Sequence, residues 1–213
     1  MKYVGLFTLC LLTLLSQAQS SLTLAKKGKS LHDFVPKNWK ILQTSTGDLN
    51  QDNTDDVVMV IQQKDPANII INPGMALDSL DTNRRVLIIL FKESANNNLR
   101  LAEISETFIL NHYTATMDDP FDGLSISNGR LILSFHFWYS AGSWYQSNMD
   151  YEFQYRNNEF FLVKAEYGET HRATLEQTLR HFDFTAQIVD ESKITMKITM
   201  ANPWKKKKVK SEI

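Results

Sequence analysis

The sequence predicts a mainly β fold, an antiparallel meander of hairpins with little helix. Three observations carry that expectation. Short runs of β-branched and aromatic residues recur along most of the chain, asparagine-rich turns separate them, and only one short stretch in the second half keeps helical spacing. Such a meander closes as a sandwich, an open barrel or propeller-like four-stranded blades, and periodicity alone does not choose between them. No period of about 40 to 50 residues repeats, which argues against a full propeller.

Taken in order, Leu31 to Phe34 reads as a short helical turn stopped by Pro36. Residues 39–43 form a first strand, and the β-branched residues 56–62 form the next. Residues 64–83 read as the longest irregular stretch, punctuated by Pro66, Pro73 and Gly74, with brief pairing possible at 68–71. The unbroken apolar run 86–91 reads as a strand buried on both faces, and the Asn96-Asn97-Asn98 turn leads into a strand over 99–110. Asn128-Gly129, between residues 123–126 and 131–139, supplies the two positive φ angles of a type I′ hairpin. Residues 145–155 and 160–165 flank Asn157-Asn158 in the same way, and 182–189 with 194–200 repeat the pattern around Asp190-Glu191-Ser192. In the second half, helix is expected only at 174–180, where Leu175 and Leu179 stand four apart.

The ends bound the compartment. Lys2, an apolar run from Val4 to Leu15 and Ser16-Gln17-Ala18 read as a secretory signal cleaved after Ala18. The apolar run falls short of the ~20 residues of a spanning helix, so no transmembrane segment is expected and the protein is assigned to the periplasm or the extracellular space. Lipoprotein anchoring would need Cys10, but bulky Leu9 precedes it. Cys10 is the only cysteine and leaves with the signal, which excludes disulfides and thiolate metal sites. The expected organisation is a signal peptide at 1–18, a flexible leader at 19–35, one β-rich domain at 36–202 and a basic tail at 203–213. Lys205, Lys206, Lys207, Lys208 and Lys210 read as a solvated, disordered tail, with weak contact to anionic surfaces as the alternative, and export removes nucleic acid as a partner.

One stretch combines spacing, residue type and local structure into a chemistry. From Asp48 as position one, Asn50 is third, Asp52 fifth, Thr54 seventh and Asp56 ninth, so oxygen-bearing side chains recur at every second residue. Calcium takes about six to eight oxygen ligands at ~2.3–2.6 Å. Here Asp48, Asp52 and Asp56 offer carboxylates, Asn50 an amide oxygen and Thr54 its backbone carbonyl, with water completing the shell. Position six, where the backbone turns with positive φ, is Asn53 rather than glycine. A helix-borne sensor would need glutamate at position twelve, but Met59 stands there inside a strand. A metal-free acidic turn is the alternative.

Residues 47–60 resemble the strand-borne calcium loop of FG-GAP and VCBS type repeats, Gly-Asp-x-Asn-x-Asp-Gly-x-x-Asp followed by an apolar strand. The resemblance implies Asp48, Asn50, Asp52 and Asp56 as side-chain ligands and Thr54 as a carbonyl ligand. It also implies a secreted or surface domain in which calcium rigidifies a β-turn, with no particular reaction.

Two further clusters compete for attention. Trp138, Trp144 and Tyr145 lie in the most aromatic stretch, 135–145, where strand alternation separates Phe135, Phe137 and Tyr139 from His136 and Trp138. They form either a sugar-stacking platform or a doubly buried strand. Asp118, Asp119 and Asp122 suggest a carboxylate pair or, more simply, Asp-Pro and Asp-Gly turn chemistry. The five histidines lack zinc spacing, and no Gly-x-Ser-x-Gly elbow occurs. The sequence thus points to a secreted bacterial β domain, noncatalytic, with a structural calcium loop, binding a protein or glycan or serving envelope structure. The rival is a carbohydrate-binding accessory or glycan-active enzyme with its site at the aromatic hairpin.

Overall fold

The computed structural model describes residues 22–74 and 77–195; the expected signal peptide and basic tail lie outside them. Among the described residues the chain forms thirteen strands and two short 3-10 turns. The strands are β1 (Lys27–Gly28), β2 (Trp39–Gly47), β3 (Asp56–Gln63), β4 (Ile69–Gly74), β5 (Leu77–Asp81), β6 (Arg85–Lys92) and β7 (Leu99–Ser105) in the first half. The second half holds β8 (Phe121–Ser127), β9 (Arg130–Phe137), β10 (Tyr145–Arg156), β11 (Glu159–His171), β12 (Glu176–Asp183) and β13 (Ile188–Thr195). One sheet has the order β1-β7-β6-β3-β2, another runs β13-β12-β11-β10-β9-β8, and β4-β5 is a separate hairpin. Neither large sheet closes into a barrel, and the two pack face to face as a β-sandwich.

Alternation explains the layers. In β3, Val58 and Val60 face the second sheet, where with Leu87, Ile89 and Phe91 of β6 they meet Leu124, Leu131, Leu133 and Phe135. Met59 and Ile61 point the other way and, with Val86, Ile88 and Leu90, form a second cluster under Phe34. Strands β3 and β6 are thus buried on both faces. Each large aliphatic so enclosed contributes about 1.5–3 kcal/mol of hydrophobic stabilisation.

The sheets also touch along one edge. The Gln43 side-chain amide donates to the Leu124 carbonyl at 3.3 Å, and the Ile126 amide donates to Ser45 Oγ at 3.1 Å, joining β2 to β8. Gly47 sits at this seam, where a Cβ would fall 2.6 Å from Ile126 Cγ2. Close packing therefore gives the glycine that heads the acidic motif its own reason to be there.

The hairpin turns follow their asparagines. Asn128 and Gly129 have φ of 51° and 70°, and Asn157 and Asn158 have 53° and 64°. Elsewhere the structure departs from expectation. Residues 22–35 do not form a loose leader: Leu22, Leu24, Leu31 and Val35 pack on the outer face of the first sheet, and Lys27–Gly28 pairs with β7. That apolar face must be covered, and the N-terminal segment covers it. The expected irregular stretch folds into the β4-β5 hairpin, while the expected 99–110 strand stops at Ser105. Of the helix expected at 174–180, residues 176–180 belong to β12 and Leu175 lies in the turn before it, because tertiary pairing with β11 over seven residues overrides a two-leucine periodicity. Its hairpin turns at 184–187, where the Thr185 and Ala186 amides donate to Asp183 Oδ1 at 2.9 and 2.8 Å and Gln187 adopts φ 57°.

A polar clamp joins the halves of the chain. Arg85, at the start of β6 and only 4% exposed, donates two 2.6 Å hydrogen bonds to the two oxygens of Asp119, and one to the Leu110 carbonyl at 3.0 Å. Burial raises the Asp119 pKa, but the Arg85 hydrogen bonds and charge outweigh it and hold the carboxyl below its ordinary 3.8. Asp119→Ala leaves a buried guanidinium without its carboxylate. We expect a loss of about 2 kcal/mol in urea unfolding, less than for a fully buried pair because Asp119 is half exposed. Since the folded pKa is depressed, the stability it contributes is present above the unfolded pKa and is lost as pH falls through the folded one.

Candidate metal centre and aromatic surface

The acidic loop joins β2 to β3, with Gly47 and Asp56 directly paired at its base. Two residues fasten it to the core. Leu49 is fully buried in the inner cluster, and Asp56 is fully buried at the entry to β3. Asp56 Oδ2 accepts the Leu49 and Asn50 amides at 3.0 and 3.3 Å, and Oδ1 accepts the Lys92 amide at 3.0 Å, so one carboxylate ties the loop, β3 and the end of β6 together. Burial pushes the Asp56 carboxyl above its ordinary 3.8 despite these three amide bonds, and the nearby Asp52 charge pushes the same way.

The tip is organised by side-chain-to-backbone turns. Asp48 Oδ1 and Oδ2 accept the Asp52 and Asn53 amides at 3.1 and 2.8 Å. Asn50 Oδ1 accepts the Asp52 amide at 3.0 Å, Asp52 Oδ1 accepts the Thr54 amide at 2.9 Å, and the Asn50 side-chain amide donates to Asp52 Oδ2 at 3.1 Å. Asn53 takes φ 63°, the left-handed geometry required at position six, and Gln51 also takes 63°. The hydroxyls of Thr54 and Ser94 lie 2.7 Å apart, adding a tether to the β6–β7 connection.

As a ligand set the loop is uneven. A carboxylate oxygen offers two lone-pair directions. The oxygens of Asp48 and Asp52 each use one within the loop and keep one, whereas Asp56 Oδ2 uses both and Oδ1 uses one. Among the described residues no three His, Cys, Asp or Glu side chains form a group able to hold a metal ion. Open acceptor directions thus remain on Asp48, Asp52 and the Asn50 side-chain oxygen, while Asp56 is the scaffold beneath them.

The aromatic stretch divides between core and surface. Phe135 and Phe137 pack inward, while Trp144 is 67% exposed and Tyr145 47%. His171 stacks on Trp144 at 6.4 Å between ring centroids and meets Tyr145 edge-on at 4.8 Å. Trp138 is half-buried under the Arg172 guanidinium, 5.0 Å from its ring, and that guanidinium also donates to the Tyr139 and Ser143 carbonyls at 2.6 and 3.3 Å. The three candidates thus separate: Trp144 and Tyr145 form a surface, and Trp138 supports its base. His171 and Arg172 carry no local signal. Only the pairing of Tyr145 with His171 across β10 and β11 brings them in. Asp119 is engaged by Arg85, Asp118 lies exposed in the connection to β8, and Asp122 is exposed within β8, so the three form no group facing one site.

Asp56→Ala orphans three amides, and we expect it to cost about 3 kcal/mol in chemical denaturation. In calcium-free buffer the Asp56 contribution has the opposite pH sign to that of Asp119. Its folded pKa is raised, so its effect on stability is most favourable below the ordinary 3.8 and is lost as pH rises through the folded value. Comparing wild type with Asp56→Asn across an acid titration measures it. No family model, curated protein or solved structure matches the chain.

Proposed function

We propose that the chain is an exported, noncatalytic β-sandwich domain serving binding or envelope structure, with calcium rigidifying its 48–56 loop. The observation that carries this reading is the gathering of Asp48, Asn50 and Asp52 on a short connection pinned at both ends by buried Leu49 and Asp56. Asp48 and Asp52 keep free acceptor positions, the Thr54 carbonyl is a further candidate ligand, and the like charge of Asp52 near Asp56 is a repulsion that a cation would relieve. Calcium supplies a positive centre for these oxygens; the chain supplies the turn. Affinity in the range of about 10⁻⁴–10⁻³ M suffices outside the cytoplasm. An ion bound only by the folded state stabilises it by mass action. Millimolar calcium should therefore raise the melting temperature, magnesium should do so less, and Asp52→Ala should abolish the rise. An unchanged melting temperature at that concentration would refute the calcium reading.

A second reading, glycan binding at the aromatic hairpin, is favoured by one observation. Trp144 and Tyr145 are exposed side by side on His171, which suits stacking against a sugar face. Trp144→Ala should remove glycan-array binding while leaving the melting temperature unchanged, because that ring contributes little to the core. If the array signal survives the substitution, this reading is lost.

A further inference from the structure

Beside β7 an open groove runs along the edge where the two sheets meet. Its volume is about 460 Å³, within the span of about 300–1,000 Å³ of small-molecule sites. Leu87 and Ile89 of β6 with Leu131 and Leu133 of β9 lie buried beneath it, and the half-buried Ile104, Phe108, Phe153 and Phe160 form its apolar surface. Phe108 meets Phe153 edge-on at 5.2 Å.

The polar groups of the lining are few and of one sign. Register places Glu103 opposite Ile89 and Ser105 opposite Leu87, so both project from β7 on the face that looks at the second sheet. Glu159, at the start of β11, contributes the other charge. Glu103 and Glu159 are exposed, neither pairs with a basic side chain among the described residues, and no Lys or Arg lines the groove. Arg100, on the same face of β7, lies over the Phe91 ring instead.

We propose that this groove binds a small amphiphilic cation, with its hydrocarbon body along Phe108, Phe153 and Phe160 and a protonated amine held by Glu103 and Glu159. An apolar body gains from leaving water against Phe108, Phe153 and Phe160, over the methyls of Leu87, Ile89, Leu131 and Leu133. The two rim carboxylates select the charge of the head group. The site is independent of the acidic loop and of the aromatic surface.

Octylamine, octan-1-ol and octanoate, added to the full chain, isolate these features. Calorimetry should rank octylamine first, with octanoate at least about tenfold weaker. Octylamine should shift the methyl NMR signals of Leu87, Ile89, Leu131 and Leu133. The double substitution Glu103→Gln, Glu159→Gln changes two exposed side chains and leaves the apolar surface intact. It should weaken octylamine about fivefold and bring it level with octan-1-ol, as expected for two solvent-screened ion pairs. The proposal is overturned if octylamine does not bind, if it shifts other methyls only, if octanoate or octan-1-ol equals it on the wild-type chain, or if the double substitution leaves its affinity unchanged.

Discussion

Burial of β3 and β6 on both faces is the constraint from which the rest of the structure follows. A strand pair with Val58, Val60, Leu87 and Ile89 on one side and Met59, Ile61, Val86 and Ile88 on the other needs two covers. The second sheet is one of them, and residues 22–35 are the other. Buried polar side chains at the ends of these strands draw their partners from inside the protein, although Arg85 Nε has none. Asp56 binds three amides at the start of β3, and Arg85 takes Asp119 and the Leu110 carbonyl at the start of β6.

These two charged anchors connect the core to the surface features. Asp56 transmits the rigidity of β3 into the acidic loop, so Asp48, Asn50 and Asp52 are displayed from a fixed base. The Arg85–Asp119 clamp holds the connection that delivers the chain to β8 and hence sets where the second sheet begins. Their titration behaviour differs for one reason. At Asp56 burial costs the carboxylate more than its three amide bonds return, whereas Asp119 faces a guanidinium and gains a full opposite charge.

Several features were legible before the fold was known. Asn128-Gly129 and Asn157-Asn158 specify their turns because asparagine and glycine are the residues that tolerate positive φ, a local steric property. The 86–91 run reads as doubly buried because nothing in it can face water. Asn53 takes the left-handed geometry that the loop pattern demands. Other features were hidden. Two leucines four apart at 175 and 179 suggest a helix, yet Leu175 itself has φ 59° and the segment pairs with β11. The turn after β12 is set by Asp183, whose capping of Thr185 and Ala186 outweighs the polar trio at 190–192.

What the sequence by itself determined is local: strand periodicity, turn chemistry, and the oxygen spacing from Asp48 to Asp56. These depend on covalent geometry and near neighbours, which every stretch carries with it. The tertiary structure alone decided the sandwich over barrel or blades and the use of residues 22–35 as a cover. It also decided the meeting of His171 with Trp144 and Tyr145, the assignment of Asp119 to Arg85, and the groove beside β7 with its two glutamates. Each of these joins residues far apart in the chain. Such pairings are chosen by which apolar faces remain to be covered once the strands have formed, a property of the whole chain and of no single segment.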